Sequence, residues 1–280
     1  MKKIGILIIV LSLFFACNNS DELLNVKNET TTQEKIDEDF PRISINSKIA
    51  GVKLPNGTIM DKVDDSTIKM TFPKGYELWQ LGEDGRFEVI SESSYTCTCS
   101  GDNGCNVFHV KDEYGCSHGS CTGSCTGKFN NSFTHARFYV LNVNSRMQAA
   151  TDKEFEDLDY LPGELVSQFK KELESFAKSL YGANYQDAIQ YVDKAFQNPS
   201  SSQNITFVKM KMYGYKFVYG INTQQVKPDV MKSNTFTTVD DGKKHECKCN
   251  SGSSGCTADS SWGVKYCEGG ACTSCTMTVN

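Results

Sequence analysis

Between residues 66 and 91, apolar and polar side chains alternate in three short runs: "STIKMTF" (Ser66–Phe72), "YELWQL" (Tyr76–Leu81) and "GRFEVIS" (Gly85–Ser91). Alternation with period two places successive side chains on opposite faces of an extended chain, so each run predicts a β-strand. The intervening "PKG" and "GEDG" supply turn residues. A fourth run, "ARFYVLNV" (Ala136–Val143), reads the same way. The period then lengthens. In "PGELVSQFKKELESFAKSLYG" (Pro162–Gly182), Leu165, Val166, Phe169, Leu173, Phe176, Ala177 and Leu180 recur at helical spacing. This predicts one amphipathic helix with Gly182 as its C-cap. "NYQDAIQYVDKAFQN" (Asn184–Asn198) predicts a second, with Asn184 as N-cap and Pro199 beyond its end. Period two returns in "NITFVKMKMYGYKFVYGIN" (Asn204–Asn222), a hairpin about Tyr213-Gly214, and "NTFTTV" (Asn234–Val239) leads into the C-terminal region. The expected fold class is α+β: an antiparallel β-rich body, a two-helix central segment, and two small repeated disulfide-rich modules.

The chain opens on apolar sequence of another kind. "MKKIGILIIVLSLFFAC" has two lysines, an unbroken run from Ile4 to Phe15, then Ala16 and Cys17. The run is too short to span a bilayer and follows a positive start, which reads as a secretory signal. With the Ala-Cys end, the segment resembles the lipobox signals of bacterial lipoproteins, although Phe14 and Phe15 stand where that family prefers a leucine-like and then a small residue. The resemblance covers this segment alone. It implies lipidation of Cys17 (a diacylglyceryl group, with palmitate) as the first mature residue, a cell-envelope location and a membrane as one partner. Asn18 in the second mature position implies the outer membrane, facing the periplasm or the outside. The alternative is an ordinary cleaved signal peptide in which Cys17 is incidental. The following "NNSDELLNVKNETTTQEKIDEDF" is polar and acidic, and reads as a flexible tether.

The cysteines add the most information. Cys97, Cys99, Cys105, Cys116, Cys121 and Cys125 form one cluster; Cys247, Cys249, Cys256, Cys267, Cys272 and Cys275 form another. The spacings C-x-C-x5-C-x10-C-x4-C-x3-C and C-x-C-x6-C-x10-C-x4-C-x2-C agree to within one residue at every gap, and a glycine precedes each third cysteine (Gly104, Gly255). Such agreement reads as an internal repeat. Each module is rich in Gly, Ser, Thr and Asn and poor in aliphatic residues, so it needs cross-links or a metal to hold one shape. An even cysteine count in an exported chain favours disulfides. Cysteines at i and i+2 of extended chain stand about 6.6 Å apart at Cα, at the far edge of disulfide range, so neither Cys97 with Cys99 nor Cys247 with Cys249 is an expected pair. Connectivity beyond that is open.

The alternative is thiolate binding of zinc or copper by the same clusters. Cys267-x4-Cys272-x2-Cys275 has the spacing of a plant-type iron–sulfur run, but the first module breaks it with x3 between Cys121 and Cys125. His118 and His245 occupy non-equivalent places in the two modules, and Met277 is a soft donor near the second. Cys272-x-x-Cys275 also fits a thiol–disulfide oxidoreductase pair, but lacks the following helix that such chemistry uses.

Catalytic motifs add little. "GCSHG" (Gly115–Gly119) fits G-x-S-x-G but lies between a polar segment and a Gly-rich cysteine turn, without the strand and helix a nucleophile elbow requires. Asp64-Asp65 and Asp240-Asp241 read as turn residues. The net charge is −5 at pH 7, and no dense basic patch with interleaved aromatics points to nucleic acid. The expected organisation is signal 1–16, tether 17–40, β-rich region 41–96, module one 97–128, strand plus two helices 129–199, hairpin region 200–246 and module two 247–280. The expected function is a non-enzymatic, lipid-anchored binding protein for an unnamed protein or small molecule, without cofactor. The alternative is a zinc- or copper-binding lipoprotein.

Overall fold

The computed structural model describes residues 43–44, 48–49, 51–110, 112–197, 203–233, 236–239, 245–251, 255–269 and 274–279. The signal, Cys17, the tether, Pro199, Asp240-Asp241 and Cys272 lie outside them. The architecture is α+β and dominated by antiparallel β-sheet.

The first half builds two sheets. One has five strands in the order Ile43–Ser44, Thr58–Asp64, Thr67–Thr71, Ser94–Cys99 and Cys125–Phe129. The other orders Val52–Lys53, Lys48–Ile49, Glu113–Ser117 and Asn106–Val110. Ile49, Leu54, Met60, Ile68, Leu78, Tyr95, Tyr114 and Phe129 fill the space between them, with Cys97 and Cys105 as part of that core. The alternation in Thr67–Thr71 is literal: Ile68 and Met70 are buried, Lys69 and Thr71 exposed.

The second half rests on a six-stranded sheet. Its path is Gln148–Ala149, Ile205–Met212, Tyr215–Asn222, Val264–Gly269 and Cys256–Ser261, with Asp159–Tyr160 lying parallel on Tyr215–Asn222. Tyr213 and Gly214 turn the central hairpin with φ of 52° and 88°. Two positive φ values give the primed turn whose twist matches the flanking strands. Among the described residues, five helices cover this half: α1 (Asp152–Asp157), α2 (Gly163–Gln168), α3 (Lys170–Tyr181), α4 (Tyr185–Gln197) and α5 (Pro228–Ser233). Leu165, Leu173, Ala177 and Leu180 pack onto Met210, Phe217, Tyr219 and Ile221 of the hairpin.

A three-stranded sheet, Arg137–Asn142, Tyr76–Leu81 and Phe87–Val89, is common to both cores. Leu78, Phe138 and Val140 face the first core. Trp79, Leu81, Tyr139 and Leu141 face the second. Both sides of "YELWQL" are therefore covered, and the apolar residues on each side of the strand are assigned to different cores.

The expected single helix over Pro162–Gly182 is two. Phe169 leaves helical geometry (φ −94°, ψ 12°) and separates α2 from α3. Its buried ring sits 4.6 Å from that of Tyr213 and 6.1 Å from that of Phe87, so core packing bends the chain where the apolar spacing alone continues. Gly182 is the C-cap, with φ 66°. Asn184 closes a 3-10 turn immediately before α4. The central segment is also richer than two helices, because α1 precedes them behind a capping box in which Thr151 and Glu154 exchange hydrogen bonds. "NTFTTV" contributes an isolated bridge, Thr238 to Val208, rather than a strand.

Candidate functional site

The described cysteines of the clusters lie on strands or at their ends, except Cys121 in the loop before Cys125–Phe129, and the ladders bring them into bonding range. In the first cluster Cys97 bonds Cys116, Cys99 bonds Cys121 and Cys105 bonds Cys125, with Cα separations of 5.5, 5.7 and 5.9 Å. First therefore joins fourth, second joins fifth and third joins sixth. In the second cluster Cys247 bonds Cys267 and Cys256 bonds Cys275, with Cα separations of 5.6 and 5.8 Å. Cys249 is also disulfide-bonded. Cys97 and Cys99 lie two residues apart on one strand and bond different partners.

These bonds set the chemistry of the clusters. Cys99, Cys105 and Cys121 present donor atoms within 4.8 Å of one another, and so do His118, Cys121 and Cys125. A sulfur shared in a disulfide is not a thiolate, so in this state the clusters are cross-links. His245 lies away from such a group; burial, with Lys265 beside it, holds its imidazole below the ordinary pKa. The polar segment at Gly115–Gly119 departs from the sequence reading in carrying a strand, Glu113–Ser117, which Ser117 ends; Cys116 is cross-linked, and residues 118–124 form no helix.

Beyond the cysteines, the structure brings together residues that sequence spacing does not. A groove of about 920 Å³ opens between Lys48–Lys53, the start of Arg137–Asn142, the segment from Glu156 to Glu164, and the second cysteine cluster at Cys267 and Cys275. Three strand margins border it: Val52–Lys53 and Arg137–Asn142 are outermost in their sheets, and Asp159–Tyr160 lies along one side of Tyr215–Asn222. Gly163 allows the close approach of α2 to the second cluster; a Cβ there would lie 2.8 Å from the side chains of Tyr266 and Glu268.

Charges in the groove are paired across elements. Arg137 Nη1 donates to Glu164 Oε1 at 3.0 Å, and Tyr139 Oη donates to the same oxygen at 2.6 Å. Burial first, and then Glu164, pushes the Tyr139 phenol far above its ordinary pKa. Burial and the carboxylates of Asp159 and Glu164 do the same to Tyr215. Both phenols are donors throughout the physiological range. Lys53 Nζ bridges to Asp159 Oδ1 at 3.1 Å. Lys216, 8 % exposed, donates to the Glu156 carbonyl at 3.0 Å and lies 4.7 Å from the centre of the Tyr160 ring. Its burial lowers its pKa. The lining has balanced charge, fixed donors and aromatic surface. Among the described residues it contains no serine or histidine, and both of its cysteines are cross-linked.

Apart from Cys267 and Cys275, none of these groove residues was legible as a site in the sequence. They come from five separate stretches of chain. No protein-family description, curated protein or solved structure matches the chain.

Proposed function

We propose that the chain is a lipid-anchored envelope protein that binds a ligand without transforming it, and that two equivalent disulfide-stapled modules stiffen its body. The observation that carries this reading is the groove: a pre-formed concave surface with paired charges and fixed donors, one wall of which belongs to the second cysteine cluster. Pockets at the seam between packed units are common ligand sites. A cross-linked wall loses little conformational freedom when a ligand docks, which favours affinity.

Matching registers support two equivalent modules. Cys99 lies opposite Cys125, and Cys249 lies opposite Cys275. Cys97 faces the residue two beyond the sixth cysteine (Gly127), and Cys247 faces its counterpart Met277. Cys116 faces the residue two beyond the third cysteine (Val107), and Cys267 faces Ala258. The anchor rests on the segment that ends at Cys17, and the outer membrane on Asn18.

The test has two parts. Fatty-acid labelling of the wild type and of Cys17→Ala in a bacterial host should show a labelled, membrane-fractionating chain that becomes unlabelled and released in the variant. A photo-crosslinking residue in place of Lys53 should then give a discrete adduct from whole envelopes, absent when the same residue replaces the exposed Val63 on the other strand. Equal crosslinking from both positions would sink the groove reading. Label that persists in Cys17→Ala would sink the anchor.

A further inference from the structure

We propose that the Cys99–Cys121 and Cys105–Cys125 disulfides are a reducible pair, and that opening them converts the first module into a four-thiolate site for a zinc-like thiophilic cation, with His118 beside it as an orienting partner. This inference is independent of the groove.

The donors are already gathered. The Sγ atoms of Cys99, Cys105 and Cys121 lie within 4.8 Å of one another, and Cys125 Sγ lies within 4.8 Å of Cys121 and of a His118 ring nitrogen. Ligand sulfurs about 2.3 Å from a tetrahedral zinc stand roughly 3.8 Å apart. The two bonded pairs, about 2 Å apart, must therefore open by nearly 2 Å, and the other gathered pairs close by up to about an ångström.

The frame that gathers these sulfurs does not depend on the two bonds to be opened. Cys99 and Cys125 are ladder partners on adjacent strands. The two cysteine-bearing loops are held together by polar bonds: Ser100 N–H donates to the Ser124 carbonyl at 3.0 Å, and Ser124 N–H donates to Ser100 Oγ at 2.9 Å. Asp102 N–H donates to Thr122 Oγ1 at 3.1 Å, and Thr122 N–H returns to the Asp102 carbonyl at 3.2 Å. Gly101 and Gly123 make this approach possible, because a Cβ on Gly123 would lie 2.7 Å from the Gly101 nitrogen. The third disulfide, Cys97–Cys116, has its Cys97 end buried at 4 % exposure and anchors the module to the core.

The surroundings also suit thiolates. Gly101 N–H points at Cys99 Sγ, 3.3 Å away, and a backbone donor of this kind stabilises the deprotonated sulfur. The Cys121 N–H bonds the His118 carbonyl at 2.6 Å, which fixes the turn that holds the imidazole next to Cys121 and Cys125. Cys99, Cys121 and Cys125 are partly exposed, whereas Cys105 is 1 % exposed, so each of the two bonds offers a reductant an accessible sulfur. Each disulfide accepts two electrons and two protons from a dithiol, which leaves as its own disulfide. The four resulting thiols release their protons as the cation binds.

The test uses the whole mature chain. Stepwise reduction with a water-soluble phosphine is followed by zinc titration against a chromophoric chelator. Iodoacetamide then marks unprotected thiols, which are located by mass spectrometry. The expected result is no zinc uptake by the oxidised chain, and one zinc per chain once four thiols are free. Protection from alkylation should be confined to Cys99, Cys105, Cys121 and Cys125. His118→Ala, which leaves every disulfide in place, should weaken zinc binding by about tenfold or more, as loss of an outer-sphere partner does. Three results would overturn the proposal: no uptake at four thiols, protection spread over both clusters, or uptake that begins only when Cys97–Cys116 opens. The last would mean that zinc binds an unfolded module.

Discussion

Replacing Cys97 and Cys116 together by alanine probes whether the disulfides stabilise the body or merely decorate it. The bond joins positions 19 apart, and its counterpart Cys247–Cys267 joins positions 20 apart. Closing loops of that length removes chain entropy worth about 3 kcal/mol at room temperature in each case, and the two values differ by under about 0.1 kcal/mol. Both bonds carry a further contribution, since Cys97 belongs to the core around Tyr95 and Phe129 and Cys267 is similarly buried. Filling either place with a smaller side chain adds roughly 1 kcal/mol. Urea denaturation should therefore show losses of about 4 kcal/mol for both Cys97→Ala/Cys116→Ala and Cys247→Ala/Cys267→Ala. Trp79 and Trp262 both pack against the second core, so their fluorescence reports that half, while the ring NMR signals of Tyr95 and Phe129 report the first. The two signals should show the same midpoint if the two cores unfold together through their common wall. A loss below about 1 kcal/mol for either pair would refute the chain-entropy reasoning. Separate midpoints would refute the shared wall.

Other expectations follow from single side chains. Asp193 is pushed up to about 6 by burial, against the hydrogen bonds it accepts from Trp262 and Gly263 N–H. Its folded-state pKa exceeds its unfolded value, so the folded state holds the proton more tightly. Stability should then fall as pH rises from about 4 to about 6, by on the order of 2–3 kcal/mol, and Asp193→Asn should flatten that slope in denaturation curves collected across the range. His245 should titrate below 6.5 by NMR, because burial and then the neighbouring Lys265 disfavour the imidazolium; a midpoint above 6.5 would contradict the described packing. Gly220→Ala should cost about 1–3 kcal/mol in thermal melts, since the added Cβ would lie 2.5 Å from Val192 and 2.9 Å from Phe196 on α4.

Much of the secondary structure could be read from the chain because local pattern and burial coincide. Tyr76–Leu81 and the Tyr213-Gly214 hairpin occupy the positions their alternation indicates. The helix break at Phe169 could not be read, because Val166, Phe169 and Leu173 keep helical spacing while the bend is set by rings from distant strands. The two-residue strands at Ile43–Ser44, Lys48–Ile49 and Val52–Lys53 exist only through their partners, so no local signal announces them. One local signal was present and went unread: Thr151 and Glu154 stand at capping-box spacing before α1. The cysteine spacings exposed the clusters but not the first-to-fourth order of pairing, which depends on strand register. The groove has no sequence signature, because Lys53, Arg137, Asp159, Glu164 and Lys216 converge only once the sheets have formed.

The central claim, that the cysteine clusters are oxidised cross-links stiffening an anchored binding body, is tested most directly by intact mass. Mature protein taken from membranes would be denatured, alkylated without reduction and weighed. The account predicts that none of the twelve clustered cysteines takes up the reagent and that the mass includes a lipid on Cys17. Uptake of several alkyl groups from normally grown cells would contradict the cross-linked state, and with it the rigid wall on which the binding function rests.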